Sequence, residues 1–226
     1  MAVIGDIHGR DDLLAPLLDL LGDMPVLVVG DVCDRGPDTR AVIERLVGRG
    51  ARGVRGNHED WLLAWLRGEG FDRIVLRPSF GAEATLASYG VTGRTAREIE
   101  AERWRVPAAH RTWLESLAVA IDLRAGGQRF WMTHAGVPAH RSFAGHAASE
   151  VIPWLAAEHP LDLRWTQLDP EAMPPVDRPV VFGHVPRAEP LDDGSFIAID
   201  TGAGTSDGGA LTAAVLPERR FVSVGP

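Results

Sequence analysis

Three short motifs near the start of the chain restrict its fold more than any other feature. They are Gly5-Asp6-Ile7-His8-Gly9, Gly30-Asp31-Val32-Cys33-Asp34-Arg35-Gly36 and Gly56-Asn57-His58-Glu59. The first two directly follow short apolar, β-branched runs, which are typical of buried strands in a parallel sheet. Ligands bind at the carboxyl ends of such strands. The sequence therefore predicts that one edge of one sheet carries Asp6, His8, Asp31, Asp34, Asn57 and His58.

Two later apolar runs end in the same way. Phe130-Trp131-Met132-Thr133 precedes His134, and Val180-Val181-Phe182-Gly183 precedes His184. A single histidine in such a place is usually packed or solvated. Ligand-type residues that repeatedly follow apolar runs beside glycine are hard to obtain by chance, and glycine lets the backbone approach a small charged centre. We therefore expect these side chains to surround metal ions.

The mixture of ligand types indicates which metals would bind. Carboxylate, amide and imidazole ligands suit Mn, Fe or Zn better than Ca or Mg, and the absence of thiolates argues against structural zinc. One tetrahedral ion needs fewer ligands than the set Asp6, His8, Asp31, Asn57, His134 and His184 provides. We therefore expect two divalent ions, roughly 3.5–4 Å from each other, that share a bridging carboxylate. A hydroxide that bridges the two ions would attack phosphorus.

Three residues of the motifs are predicted to be catalytic. Arg35 offers a planar fork of donors that matches phosphate oxygens. His58 is positioned to protonate the leaving oxygen, and Asp34 to hold that imidazole and stabilise its charged form. Asn57 and His58 join Arg35 as predicted phosphate-binding residues.

Composition limits the other possibilities. The 226 residues, 45% hydrophobic and 24% charged, are expected to form one domain over 1–226, with a helical insertion at about 67–123 beside the sheet. A net charge of -8 argues against a broad nucleic-acid face or a membrane anchor. The single cysteine and the absence of a signal or membrane-spanning pattern favour a cytoplasmic protein. The oligomeric state stays open.

The motifs, in this order and spacing, resemble those of the phosphoprotein phosphatase family of metallophosphoesterases, and within it the short bacterial serine/threonine phosphatases. His134-Ala135-Gly136 and Gly183-His184 are similar to the two later histidine motifs of that family. The resemblance implies an α/β, calcineurin-like fold, a two-sheet β-sandwich flanked by helices (αββα). It implies that Asp6 and His8 bind one ion, that Asp31 bridges, and that the second ion is bound by Asn57, His134 and His184. Mn²⁺ is the first expectation, with Fe or Zn as alternatives.

One position departs from the pattern of these bacterial phosphatases. They often carry a second phosphate-binding arginine just after a Leu/Trp pair, and the corresponding stretch is Leu163-Arg164-Trp165-Thr166-Gln167. Gln167 stands where that arginine is expected. Either another arginine substitutes, with Arg164, Arg178 and Arg187 as candidates, or the phosphate is held more weakly.

The resemblance implies hydrolysis of phosphomonoesters, with phosphoserine or phosphothreonine in proteins as the substrate class. Small phosphoesters are the other class of partner. Two alternatives stay open. The same core could cleave diadenosine tetraphosphate symmetrically, or the chain could be a non-catalytic scaffold that binds phosphoproteins. The scaffold is disfavoured because every expected ligand position is filled.

Overall fold

The computed structural model describes residues 1–139, 142–167 and 172–225. Its strands are β1 (Ala2–Ile4), β2 (Val26–Val28), β3 (Arg52–Gly53), β4 (Ile121–Ala125), β5 (Gln128–Met132), β6 (Val180–Phe182), β7 (Leu191–Asp192), β8 (Phe196–Ala198), β9 (Leu211–Val215) and β10 (Arg220–Val224). Its α-helices are α1 (Asp11–Leu21), α2 (Thr39–Gly48), α3 (Asn57–Arg67), α4 (Ala82–Ser88), α5 (Ala96–Ala101), α6 (Ala108–Ser116), α7 (Val151–Glu158) and α8 (Asp162–Trp165). Within these described ranges, no helix has both the length and the apolar character needed to cross a membrane.

The strands form two sheets of five strands each. The first has the order β10-β9-β1-β2-β3, with β1, β2 and β3 parallel. The second has the order β4-β5-β6-β8-β7, with β5, β6 and β8 parallel. The three strands that precede the first three motifs are therefore neighbours, as predicted, and the two histidine motifs follow neighbouring strands of the other sheet.

The alternation of side chains along a strand explains why the central strands, such as β1 and β2, are apolar throughout. Successive residues point to opposite faces, and both faces of these strands are buried. In β1, Val3 packs between the two sheets with residues such as Leu27 and Phe130. Its neighbours Ala2 and Ile4 pack in a different cluster, with the helices. The predicted two-sheet sandwich flanked by helices is confirmed.

The segment between β3 and β4 carries α3, α4, α5 and α6, with 3₁₀ turns at Arg73–Leu76 and Arg103–Arg105. The last of these helices ends at Ser116, and β4 begins at Ile121. The end of the stretch that we expected to be helical to about residue 123 is therefore part of the second sheet. Leu123 and Ala125 are buried while Asp122 and Arg124 are exposed, which is the alternation of a half-buried strand.

The packing of α1 gives a first prediction. Leu17 is fully buried on the face that packs on the first sheet, whereas Leu20 is 62% exposed. We expect Leu17→Ala to lower the free energy of unfolding by about 2–5 kcal/mol, because it leaves a cavity. Leu20→Ala, the matched control in the same helix, should change it by less than about 0.5 kcal/mol. Urea denaturation measures both, and equal losses would contradict the assignment of the buried face.

Candidate metal centre

Asp31 lies where two groups of ligand-type side chains overlap. In the first group, His8, Asp31 and His58 each offer one ligand atom, and these atoms lie within 4.8 Å of one another. In the second, Asp31, His134 and His184 do the same. The His134 Nε2 atom is 3.3 Å from Asp31 Oδ1, and His8 Nε2 is 3.7 Å from Asp31 Oδ2. One buried carboxylate therefore serves both groups.

Asp6 and Asn57 complete the cluster. Asp6 Oδ2 accepts a hydrogen bond from the backbone N–H of His184 at 3.0 Å. Its Oδ1 atom is buried and has no hydrogen-bond partner in the part of the chain that the structure describes. Asn57 Oδ1 lies 3.0 Å from His134 Nε2. The structure thus brings together all six side chains that the sequence nominated as metal ligands, and their roles stay predictions.

Backbone carbonyl groups orient two of the histidines. The Nδ1 atom of His8 donates to Cys33 O at 2.9 Å, and the Nδ1 atom of His134 donates to Val29 O at 2.8 Å. Each ring therefore presents its Nε2 atom to Asp31. Metal-binding histidines in proteins usually direct their other N–H to a carbonyl or carboxylate in this way. The arrangement fits residues that hold a cation.

The charges in the cluster also favour a cation. Burial, with Asp200 as the next contributor, raises the pKa of Asp6 well above its usual value. Burial likewise raises the pKa of Asp200 to about 6. Burial would raise the pKa of Asp31 too, but His134 and His58 hold it well below the usual range. Neighbouring buried carboxylates destabilise one another unless positive charge lies among them.

His58 and Asp34 form a buried pair beside this cluster. The His58 Nδ1 atom donates to Asp34 Oδ2 at 2.7 Å. Burial would lower the pKa of His58, but Asp31 and the hydrogen bond to Asp34 raise it above its usual value. The other ring nitrogen, Nε2, lies 3.9 Å from Asp31 Oδ2. This is the geometry of an imidazole that a carboxylate orients.

Three residues that sequence reasoning missed hold this pair in place. Trp61 Nε1 donates to Asp34 Oδ2 at 2.8 Å, and Thr85 Oγ1 donates to Asp34 Oδ1 at 2.7 Å. The Phe80 ring stacks on His58 with centroids 4.1 Å apart. The sequence contained a signal for Trp61, which lies three residues after His58 on α3. Residues at i and i+3 share a helix face, so Trp61 could be expected near His58. Thr85 and Phe80 gave no comparable signal.

Arg35 lies at the exposed edge of the site. One guanidinium nitrogen is 3.0 Å from His8 Nε2, and the other is 3.3 Å from His58 Nε2. Its backbone N–H donates to Gly81 O at 3.1 Å. A side chain at Gly81 would collide with the backbone of Arg35. The close approach of this glycine therefore keeps Arg35 beside the two histidines.

Arg164 and Arg187 are two of the candidates for the second phosphate-binding arginine. They lie in different surroundings. Arg164 is only 4% exposed, and its Nε atom donates to Asp60 Oδ2 at 3.0 Å. Arg187 is half-buried, and its backbone N–H donates to Asp200 O at 3.0 Å. Gln167 is exposed. A carboxylate thus already engages Arg164, and a phosphate-binding role for either arginine stays a prediction.

The backbone is strained at several of these residues. Positive φ angles occur at the non-glycine residues His8 (47°), Asp31 (49°), Asp34 (71°), Arg35 (65°) and His184 (72°). Each such residue costs roughly 1–3 kcal/mol and persists only where the surrounding structure imposes the conformation. Strain of this kind concentrates at functional sites. The surrounding contacts must therefore be strong enough to hold these loops.

Glu59 supplies one of those contacts. Its buried carboxylate accepts backbone N–H groups from Asp31 at 2.9 Å, from Val32 at 2.9 Å and from Gly56 at 2.8 Å. The bond to Gly56 caps α3, which therefore begins at Asn57. Asn57 and His58 therefore lie in the first turn of a helix, and not in the loop that precedes it. The same carboxylate joins the loop after β2 to this turn.

A sandwich of two sheets between helices, with a cluster of histidines and aspartates at converging strand ends, defines a metal-dependent phosphoesterase. Comparison with known families agrees. The chain belongs to the calcineurin-like phosphoesterase family, whose model matches residues 1–221. It is therefore a metallophosphoesterase, a hydrolase of a family that uses a dinuclear centre of divalent metal ions.

Curated relatives carry names that refer to nucleotides. The asymmetrical bis(5'-nucleosyl)-tetraphosphatase PrpE of Halalkalibacterium halodurans is 30% identical over 242 residues, which cover 98% of this chain and 92% of that protein. The symmetrical bis(5'-nucleosyl)-tetraphosphatase of Paracidovorax citrulli is 34% identical over 140 residues, 59% of this chain and 43% of that protein. The chain thus spans less than half the length of the symmetrical relative. These relatives confirm the metallophosphoesterase family but not the serine/threonine phosphatase subgroup that we expected.

Solved structures support the fold. A crystal structure of a candidate diadenosine tetraphosphatase superimposes with a TM-score of 0.64 at 23% identity, covering 99% of this chain and 92% of that chain. A cold-active protein-tyrosine phosphatase from a psychrophilic Shewanella has a TM-score of 0.54 at 15% identity, covering 98% and 76%. At these identities the likeness shows a common fold alone.

The role of Glu59 gives a second prediction. Glu59→Gln removes one acceptor oxygen and turns an amide donor toward buried N–H groups. We expect the free energy of unfolding to fall by roughly 1–3 kcal/mol, the cost of leaving a buried donor unpaired. Glu44→Gln, at an exposed position of α2, is the matched control and should change it by less than about 0.5 kcal/mol. Urea denaturation of both metal-free proteins tests this, and equal stability would contradict the role of Glu59.

Proposed function

We propose that this enzyme hydrolyses dinucleoside tetraphosphates asymmetrically, into a nucleoside triphosphate and a nucleoside monophosphate. The observation that carries this proposal is the similarity to an asymmetrical tetraphosphatase over nearly the full length of both chains. The symmetrical relative matches over a smaller part of each chain, so we prefer the asymmetrical cut to the symmetrical one considered from sequence. Phosphoserine and phosphothreonine proteins are no longer the favoured substrates.

We propose that Asp6, His8 and Asp31 hold one divalent ion, and that the second is held by Asp31, Asn57, His134 and His184. Three observations support this assignment: Asp31 belongs to both groups, Asp6 Oδ1 has no partner among the described residues, and carbonyl groups orient two of the rings. The oxygen and nitrogen donors suit Mn²⁺, with Fe or Zn as alternatives. When bound, two such ions provide Lewis-acid activation of the phosphoryl group and of the attacking water.

The remaining residues of the site would bind phosphate and move a proton. Arg35 can direct its two terminal nitrogens to phosphoryl oxygens, where negative charge develops during the reaction. Asn57 and His58 lie beside it in the first turn of α3, whose N-terminus also favours an anion. His58 would donate a proton from Nε2 to the leaving oxygen, while Asp34 holds Nδ1. A second arginine, Arg164 or Arg187, is the candidate for an additional phosphate contact.

The products give a third prediction. With diadenosine tetraphosphate and Mn²⁺, we expect ATP and AMP in equal amounts, separated by ion-exchange chromatography. A chelator should abolish the reaction, and elemental analysis should find two ions per chain. ADP as the only product would show symmetrical cleavage. Faster release of phosphate from a phosphopeptide than turnover of the dinucleotide would contradict the proposed substrate.

The role of His58 gives a fourth prediction. His58→Asn should lower kcat by about 10²–10⁴-fold, because the leaving oxygen loses its proton donor. The metal content should stay at the wild-type value, since His58 is proposed as an acid and not as a ligand. The matched control is His146→Asn, at a histidine that stacks on Trp154, and it should keep full activity. Loss of an ion from the His58 variant would instead identify His58 as a metal ligand. The metal content must be measured because His58 belongs to the first group of possible ligands.

A further inference from the structure

A cleft of about 750 Å³ opens beside the candidate metal centre. Asn57 and Phe80 are among its lining residues, and Phe80 also stacks on His58. Trp61, Phe71 and Trp165 are its other aromatic lining residues. The volume lies within the range of small-molecule sites, roughly 300–1,000 Å³. A ligand in this cleft would therefore contact the residues proposed to hold metal and phosphate.

Trp165 is the most accessible aromatic side chain of this cleft. Its side chain is 47% exposed, which is unusual for so large an apolar group. Its Nε1 atom donates to Asp60 Oδ2 at 3.2 Å. Asp60 in turn forms ion pairs with Arg55 and Arg164. These contacts hold the ring in one orientation, so that binding a flat ligand against it needs little additional ordering.

The charge of the cleft excludes phosphate as its occupant. Its walls include Glu69, Asp72 and Glu100, and no arginine is among its described lining residues. Carboxylates repel a phosphate but accept hydrogen bonds from amino and hydroxyl groups. Arg35 lines a separate cleft of about 580 Å³ that has no aromatic lining residue in the described ranges. Phosphate is therefore favoured near Arg35, and a neutral, flat group rich in donors is favoured near Trp165.

We propose that this aromatic cleft binds one nucleobase of the dinucleoside tetraphosphate, stacked on Trp165, with its polar edge toward the carboxylates. The inference rests on the proposed function, because it identifies the part of the site that recognises that substrate. Stacking of a base on an aromatic ring tolerates any base, since every base has a π-face. Only one of the two clefts has aromatic walls, so the two ends of the substrate would be bound differently.

Trp165→Leu tests this proposal in the metal-loaded enzyme. We expect kcat/KM for diadenosine tetraphosphate to fall roughly 5- to 150-fold, mainly through KM, because one stacking contact is lost. The inhibition constant of inorganic phosphate, which has no base, should be unchanged. Trp165→Phe keeps an aromatic face but lacks the indole N–H, and it should retain most of the affinity. Trp104→Leu replaces a 72% exposed tryptophan that does not line the cleft, and it should match wild type.

The outcomes separate the two proposals. A wild-type enzyme that does not cleave diadenosine tetraphosphate would overturn both. Cleavage by wild type with an unchanged KM in Trp165→Leu would overturn the base-binding site and leave the proposed function standing. A Trp165→Phe variant as impaired as Trp165→Leu would show that the hydrogen bond to Asp60, and not stacking, is what matters. A loss of phosphate binding equal to the loss of substrate affinity would overturn the proposal that Trp165 binds the base and not the phosphates.

Discussion

The burial of Asp31 among three histidines is the interaction on which the rest of the site depends. A carboxylate that is only 2% exposed is costly unless it is paired, and His8, His58 and His134 all lie within 3.9 Å of it. Its backbone N–H is also bound by Glu59, another buried carboxylate. Burial, followed by the charge of Asp31, raises the pKa of Glu59. Asp6, Asp31, Glu59 and Asp200 are all buried carboxylates of this region. Their concentration supports the proposed metal centre, because cations would stabilise them.

Glycine and strain have separate parts in making this cluster compact. A side chain at Gly56 would collide with Asp31, and one at Gly183 would collide with Asp6. These glycines are needed because other groups approach closely, and not because of a left-handed backbone. Left-handed conformations also occur at non-glycine residues of the motifs, among them His8 and Asp31. The motifs therefore combine small residues that make space with strained residues that the surrounding hydrogen bonds hold.

Helix α3 connects the proposed chemistry to substrate recognition. Its first turn carries Asn57 and His58, Glu59 anchors the loop after β2, and Trp61 binds Asp34 from the following turn. Trp61 also lines the aromatic cleft. One rigid element thus positions the proposed metal ligand, the proposed acid and a wall of the proposed base-binding site. A shift of this helix would change all three together.

The sequence by itself determined the strands that precede the motifs, the order of the motifs and the residues that meet at Asp31, because apolar periodicity and ligand chemistry are local properties of the chain. The resemblance of its motifs to a known family also indicated a sandwich of two sheets. Only the tertiary structure decided that Thr85 binds Asp34, that Asp60 engages Arg164 and that Trp165 shares a cleft with Asn57. These contacts join residues far apart in the chain. No local pattern encodes which distant side chain will form a given hydrogen bond or line a given cleft. Substrate preference depends on such contacts, so the motifs alone do not distinguish phosphoproteins from dinucleotides.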